Sequence, residues 1–284
     1  MKLTKIRDLN RRLFTSTIVI LVAAILIAFS PYSWMGLLVA SVIAALAGIA
    51  VWEYVQLAQA KNFHPNSKLM IIVTVIEVFA FYFAQRHATV PQLPLVILFM
   101  SVITFFLAHF RHSYKALVQV AIELFGVCYV AIPLCFMLGI LYPYHVDQDG
   151  RWWLAYLIIV TKITDVGGYF VGRLWGKKKL APLLSPKKTV EGAIAGFFCA
   201  VLASVFLSKL GNWVEGFNLG LFQSLWLGAL IGVLGQIGDL AESLLKRDAF
   251  VKDSNSLPGL GGILDMVDSL LLTTPIVYFY VSTL

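Results

Sequence analysis

The sequence predicts an all-α integral membrane protein of about nine transmembrane helices with its N-terminus in the cytoplasm. Three observations carry that expectation. Hydrophobic residues make up 60% of the 284-residue chain and charged residues only 13%, about half the share of soluble domains, and mean hydropathy is +0.84. The apolar residues gather in repeated runs near the ~20 residues that cross a bilayer. Lys and Arg collect in alternate connections between those runs.

The runs fall at 13–30, 35–58, 69–85, 94–110, 117–143, 152–172, 190–209, 221–245 and 263–283. The first follows Lys2, Lys5, Arg7, Arg11 and Arg12, as a signal peptide would, but no small-residue cleavage pattern succeeds it. It reads as a retained first helix. The fifth is long enough to tilt, to kink at Pro133, or to follow a short interfacial helix. With the N-terminus inside, eighteen of the 22 Lys and Arg residues fall on the cytoplasmic side, leaving Arg86, Arg151 and Lys209 outside and Lys162 within a span. The formal charge of +7 is therefore a positive-inside bias and a face suited to anionic lipid and polyphosphate. It requires no nucleic-acid partner. Cys128, Cys135 and Cys199 all lie in apolar runs and read as free thiols packed as small hydrophobes.

No polar linker separates soluble domains, so residues 1–284 form one polytopic domain. Within it, residues 1–150 read as scaffold and lipid-facing helices. Residues 151–284 carry Lys162, Asp165, Glu191, Asp239, Glu242, Asp265 and Asp268 in or at the ends of runs and read as the catalytic half. Charges at such depth are costly and point to function.

Residues 239–269, DLAESLLKRDAFVKDSNSLPGLGGILDMVDS, concentrate that chemistry. The pairs Asp239/Glu242 and Asp265/Asp268, like Lys162/Asp165, are three apart and share a helix face. Carboxylates crowded in a low dielectric repel unless a cation or a proton intervenes, and hard oxygen ligands suit magnesium. Between the pairs lie Lys246, Arg247, Lys252, Asp253 and a Pro-Gly-x-Gly-Gly turn containing Gly261 and Gly262, where backbone can approach a ligand closely. A second basic segment, Ser185-Pro186-Lys187-Lys188-Thr189, leads into a helix starting near Val190. A helix start with two lysines is a phosphate seat, whereas Lys177, Lys178 and Lys179 read as a membrane-anchoring loop. All five histidines lie in the first half. No Ser-His-Asp or Cys-His arrangement is suggested, and direct attack of one substrate on another fits better than a covalent intermediate.

The stretch SLLKRDAFVKDSNSLPGLGGILDMVDS closely resembles the signature of the phosphatidate cytidylyltransferase (CDP-diacylglycerol synthase) family. DVGGY at 165–169, KLAP at 179–182, SPKKT at 185–189, Gly238-Asp239 and Trp52-Glu53 resemble further family motifs. Two positions depart from the pattern: Leu260 stands where the family usually has His, and Met266 where it has Arg. The resemblance implies transfer of CMP from CTP to phosphatidate in a bacterial inner membrane, with the site facing the cytoplasm. It implies magnesium on Asp239, Asp265 and Asp268, with Asp165 as a fourth catalytic carboxylate. Ser185, Lys187, Lys188, Thr189, Lys246, Arg247, Lys252, Asp253, Gly261 and Gly262 would bind substrate. A second, monovalent cation and the choice between monomer and homodimer stay open. The rival readings are an ion-coupled transporter, since intramembrane carboxylates also mark ion paths, and a binding-only relative of the family.

Overall fold

The computed structural model describes residues 17–87, 89–111, 114–143, 149–211, 213–251 and 262–284. Among the described residues nine helices follow one another: α1 (Thr17–Phe29), α2 (Ser33–Ala60), α3 (Ser67–Arg86), α4 (Leu93–His109), α5 (Ala116–Leu141), α6 (Gly150–Trp175), α7 (Val190–Gly211), α8 (Leu221–Asp248) and α9 (Ile263–Val281). Each coincides with one of the nine apolar runs. Seven are long and apolar enough to cross a membrane, while α1 and α4 are shorter. The protein is a helical, multi-pass membrane protein. Among the described residues, the one departure from an all-helical chain is a two-stranded antiparallel hairpin between α6 and α7, β1 (Lys179–Ala181) and β2 (Ser185–Thr189). The SPKKT segment, read as a loop from sequence, is thus a strand, with Thr189 opposite Lys179 and Ser185 opposite Ala181.

The fifth run does not break at Pro133. A π-helical turn, Val127–Ala131, sits just before it, and the proline falls in the first turn of the α-helical segment that resumes. Proline has no N–H to offer and crowds the preceding turn, and a widened turn lets the helix continue through it.

Large side chains of α4 and α7 point outward. On α7, Ile194, Phe198, Leu202 and Phe206 form an exposed stripe at four-residue spacing, the contact a lipid tail requires. The opposite face of α7 is small: Gly192, Gly196, Ala200, Ala203 and Ser204 are buried or nearly so. It packs closely on α6 and α8. A Cβ at Gly192 would stand 2.6 Å from the Gly168 carbonyl oxygen, and one at Gly196 would stand 2.7 Å from that of Thr164. Small residues of this kind let membrane helices approach backbone to backbone, and here they draw Asp165 and the hairpin together.

Helix α9 is the hub, touching α8, α5, α2 and α6. Its start is fixed by Glu53 of α2, a fully buried carboxylate. The N–H of Ile263 donates to Glu53 Oε1 at 3.0 Å and that of Leu264 to Oε2 at 2.8 Å. These are among the N–H groups a helix start leaves without an internal partner. The helix-start dipole also favours an acidic group there.

Candidate functional site

At the hairpin end of the bundle, α6, β1, β2, α7 and α8 enclose a cavity of about 670 Å³, within the size range of small-molecule sites. Its lining carries both signs of charge: Arg173 of α6, Lys179 of β1 and Lys187 and Lys188 of β2, with Asp165 of α6 and Asp239 of α8. Lys188 Nζ meets Asp239 Oδ2 at 2.6 Å.

The hairpin is held rigidly. Glu191 accepts the N–H groups of Lys177 at 3.0 Å and Lys178 at 3.2 Å. Arg247 Nε donates to the Leu184 carbonyl at 3.0 Å, tying the turn to α8. Thr189 caps α7 by accepting the Gly192 N–H at 3.1 Å, and the Val190 N–H donates to Lys178 O at 2.9 Å. Two of the N–H groups at the start of α7 are thus already satisfied, and Gly192 and Ala193 of that helix start line the cavity beside Lys179, Lys187 and Lys188.

The acidic pairs are sorted across helices. Helices α8 and α9 run antiparallel: Gly238 lies against Asp268 and Ser269, and Lys246 meets Asp265. A Cβ at Gly238 would stand 2.5 Å from the Asp268 carbonyl oxygen, so glycine is what permits this approach. Antiparallel register sets Asp239 towards Asp268 and Glu242 towards Asp265. One group comprises Asp165, Asp239 and the buried Asp268, all within electrostatic reach of one another. The other comprises Glu242 and Asp265, bridged by Lys246, whose Nζ contacts Glu242 Oε2 and lies 2.6 Å from Asp265 Oδ1. Asp265 also accepts the Gly262 N–H at 3.1 Å. Lys162 links α6 to the first group, donating to Met266 O and to Ser269 Oγ, each at 3.1 Å. Ser269 in turn donates to Asp165 Oδ2 at 3.3 Å.

A hydrophobic bundle holding facing sets of carboxylates and lysines over a cavity has relatives. The model of the Cytidylyltransferase family matches residues 10–284. The chain belongs to that family. Among similar proteins, the phosphatidate cytidylyltransferase of Chlamydia pneumoniae is 33% identical, the match covering 96% of this chain and 92% of that one. That of Chlamydia trachomatis serovar D is 34% identical over 95% and 92%. The phosphatidate cytidylyltransferase of Staphylococcus haemolyticus is 40% identical over 54% of this chain and 55% of its own.

In this cytidylyltransferase-family chain the structure gathers Asp165, Lys187, Lys188, Thr189 and Asp239 around the cavity, with Asp268 beside them. Ser185 begins β2 at the far end of the hairpin from Thr189. Lys246, Asp265 and Gly262 form the neighbouring network, and Arg247 holds the hairpin turn. Lys252, Asp253, Gly261 and Leu260 lie outside the described residues. Sequence reasoning passed over Arg173, Tyr169 and Gln236 as lining residues and took Lys179 for an anchor; the structure puts all four on the cavity wall. Gln236 also ties α8 to α7, donating to Ala193 O at 3.1 Å. For Lys179 the missed signal was strand pairing, which sets it opposite Thr189.

Proposed function

We propose that this chain transfers CMP from CTP to phosphatidate, forming CDP-diacylglycerol and pyrophosphate. The observation that carries the reading is a cavity lined by four cationic side chains and two carboxylates, in a chain whose relatives are named for this reaction. A phosphatidate phosphate oxygen attacks the α-phosphorus of CTP. The new P–O bond forms as the bond to the β-phosphate oxygen breaks, and pyrophosphate leaves. Lys187, Lys188, Lys179 and Arg173 hold and neutralise the phosphates as charge shifts to the leaving group. Phosphatidate is already ionised, so no strong general base is required, and no histidine is among the described residues lining the cavity.

Asp165, Asp239 and Asp268 offer only hard oxygen donors, which suits magnesium. Among the described residues no three His, Cys, Asp or Glu side chains converge as a ready-made metal cradle, so substrate oxygens and water would complete the shell. We keep Asp265 with Asp239 and Asp268 in the metal-binding set. Asp239 and Asp265 each hold a lysine ammonium in this structure, and Lys188 and Lys246 would exchange the carboxylate for a substrate phosphate. Bound there, magnesium would supply positive charge at the transferred phosphorus.

The basic hairpin, the end of α8 and the start of α9 belong to one end of the bundle, and the Lys/Arg bias supports placing that end on the cytoplasmic side, where CTP is available; the membrane we propose is a bacterial inner membrane. Phosphatidate's acyl chains remain among the helices. The test is magnesium- and CTP-dependent formation of CDP-diacylglycerol by purified protein. Wild-type turnover is expected, with Asp268→Asn reducing it about a hundredfold or more. Full activity in that variant would remove Asp268 from the site.

A further inference from the structure

Lys162 lies midway along α6, where a lysine is costly unless it is paired and usually marks function. Its contacts go beyond the ion pair with its own helix. The ammonium donates to the Met266 carbonyl and to Ser269 Oγ, each at 3.1 Å, and stands 3.7 Å from Asp165 Oδ2. Met266 and Ser269 are three apart on α9 and bracket Asp268 in sequence, so one cation joins that turn of α9 to α6 beside Asp165. The side chain is still 42% exposed, and the Asp165 it stands beside lines the cavity.

We propose that Lys162 is a positioning residue of this site: its ammonium locks α9 to α6 and sets how strongly Asp165 and Asp268 hold a divalent cation. The inference rests on the metal-binding reading given above. Two consequences of one charge oppose each other. A fixed ammonium this close repels an incoming dication and weakens its binding. The same ammonium's hydrogen bonds, through Ser269, hold the Asp165 carboxylate and the α9 backbone in place, and turnover depends on that placement. A neutral side chain should therefore tighten metal binding while slowing turnover. Loss of packing alone would not tighten it.

The experiment measures Mn²⁺ binding to purified wild-type protein, Lys162→Met, Lys162→Gln and Lys162→Arg by electron paramagnetic resonance of the free ion, without CTP or lipid. CDP-diacylglycerol formation is followed in parallel. Lys162→Met and Lys162→Gln are expected to bind Mn²⁺ about tenfold more tightly while kcat falls by about tenfold or more, and Lys162→Arg is expected to restore both towards wild type. Unchanged or weaker Mn²⁺ binding in the two neutral variants overturns the proposal. Because the binding arm contains no substrate, it is read independently of the reaction, with water alone completing the shell, and wild-type protein that binds no Mn²⁺ overturns the proposal. A wild-type protein that binds Mn²⁺ yet forms no CDP-diacylglycerol overturns the transferase reading alone.

Discussion

Carboxylates on α2 to α5 and those on α6 and α8 sit in the same hydrophobic bundle but face different partners. Glu53 and Glu123 are each 0% exposed. Glu53 accepts two N–H groups at the start of α9, and Glu123 accepts the Asn66 N–H at 2.7 Å and pairs with His109 at 3.0 Å. Asp165 and Asp239 keep 35% and 32% of their side chains open, and they face lysines over a cavity. A buried carboxylate given over to backbone amides fixes the position of a helix. One that is partly open and paired with a lysine ammonium can change partners when a ligand arrives. Exposure and partner type separate Glu53 and Glu123 from Asp165 and Asp239, while Asp268 is buried yet stands with the second pair.

That contrast can be broken by substitutions of opposite character. The largest effect is expected from Asp239→Asn, which should lower turnover about a hundredfold or more and leave the thermal midpoint in detergent close to wild type. A large loss of stability would put Asp239 with the structural group. Next comes Glu53→Ala, which strips two buried N–H groups of their acceptor and should cost about 2 kcal/mol or more of stability, read as a lowered midpoint. A Glu53→Ala protein of unchanged midpoint would dissolve the distinction. The smallest effect is expected at Lys61 and Asp248, an ion pair of 3.1 Å with Asp248 65% exposed. Asp248→Asn should change stability by less than about 1 kcal/mol, and activity assays should scarcely register it.

The helices were legible in sequence because each is a long apolar run, a signal that survives without knowledge of neighbours. The residues of the candidate site stood out too, Asp165, Asp239 and Asp268 as charges in apolar runs and Lys187 and Lys188 as a basic pair ahead of a helix start. Their grouping was not. Asp239 and Glu242 share a face of α8, which suggests a shared ion, yet they divide between two groups because α9 runs antiparallel with Gly238 against Asp268. Inter-helix register arises from packing small residues and leaves no local trace. The hairpin was hidden for a related reason: Ser185-Pro186-Lys187-Lys188-Thr189 has a loop's composition and becomes a strand only by pairing with Lys179 to Ala181. Lys162 was visible as an intramembrane charge, but its bonds to Met266 and Ser269 cross to a helix about a hundred residues away.

The Glu53 cap also bears on biosynthesis. The carboxylate and the amides it receives are separated by 210 residues of chain, so α2 leaves the ribosome and enters the bilayer long before α9 exists. The acidic helix therefore docks onto a receptor already in place. A chain arrested after α8 holds the hairpin and Asp239 but lacks both Asp265 and Asp268. Assembly of the site is thus a late event in synthesis, and incomplete chains have no means of presenting it.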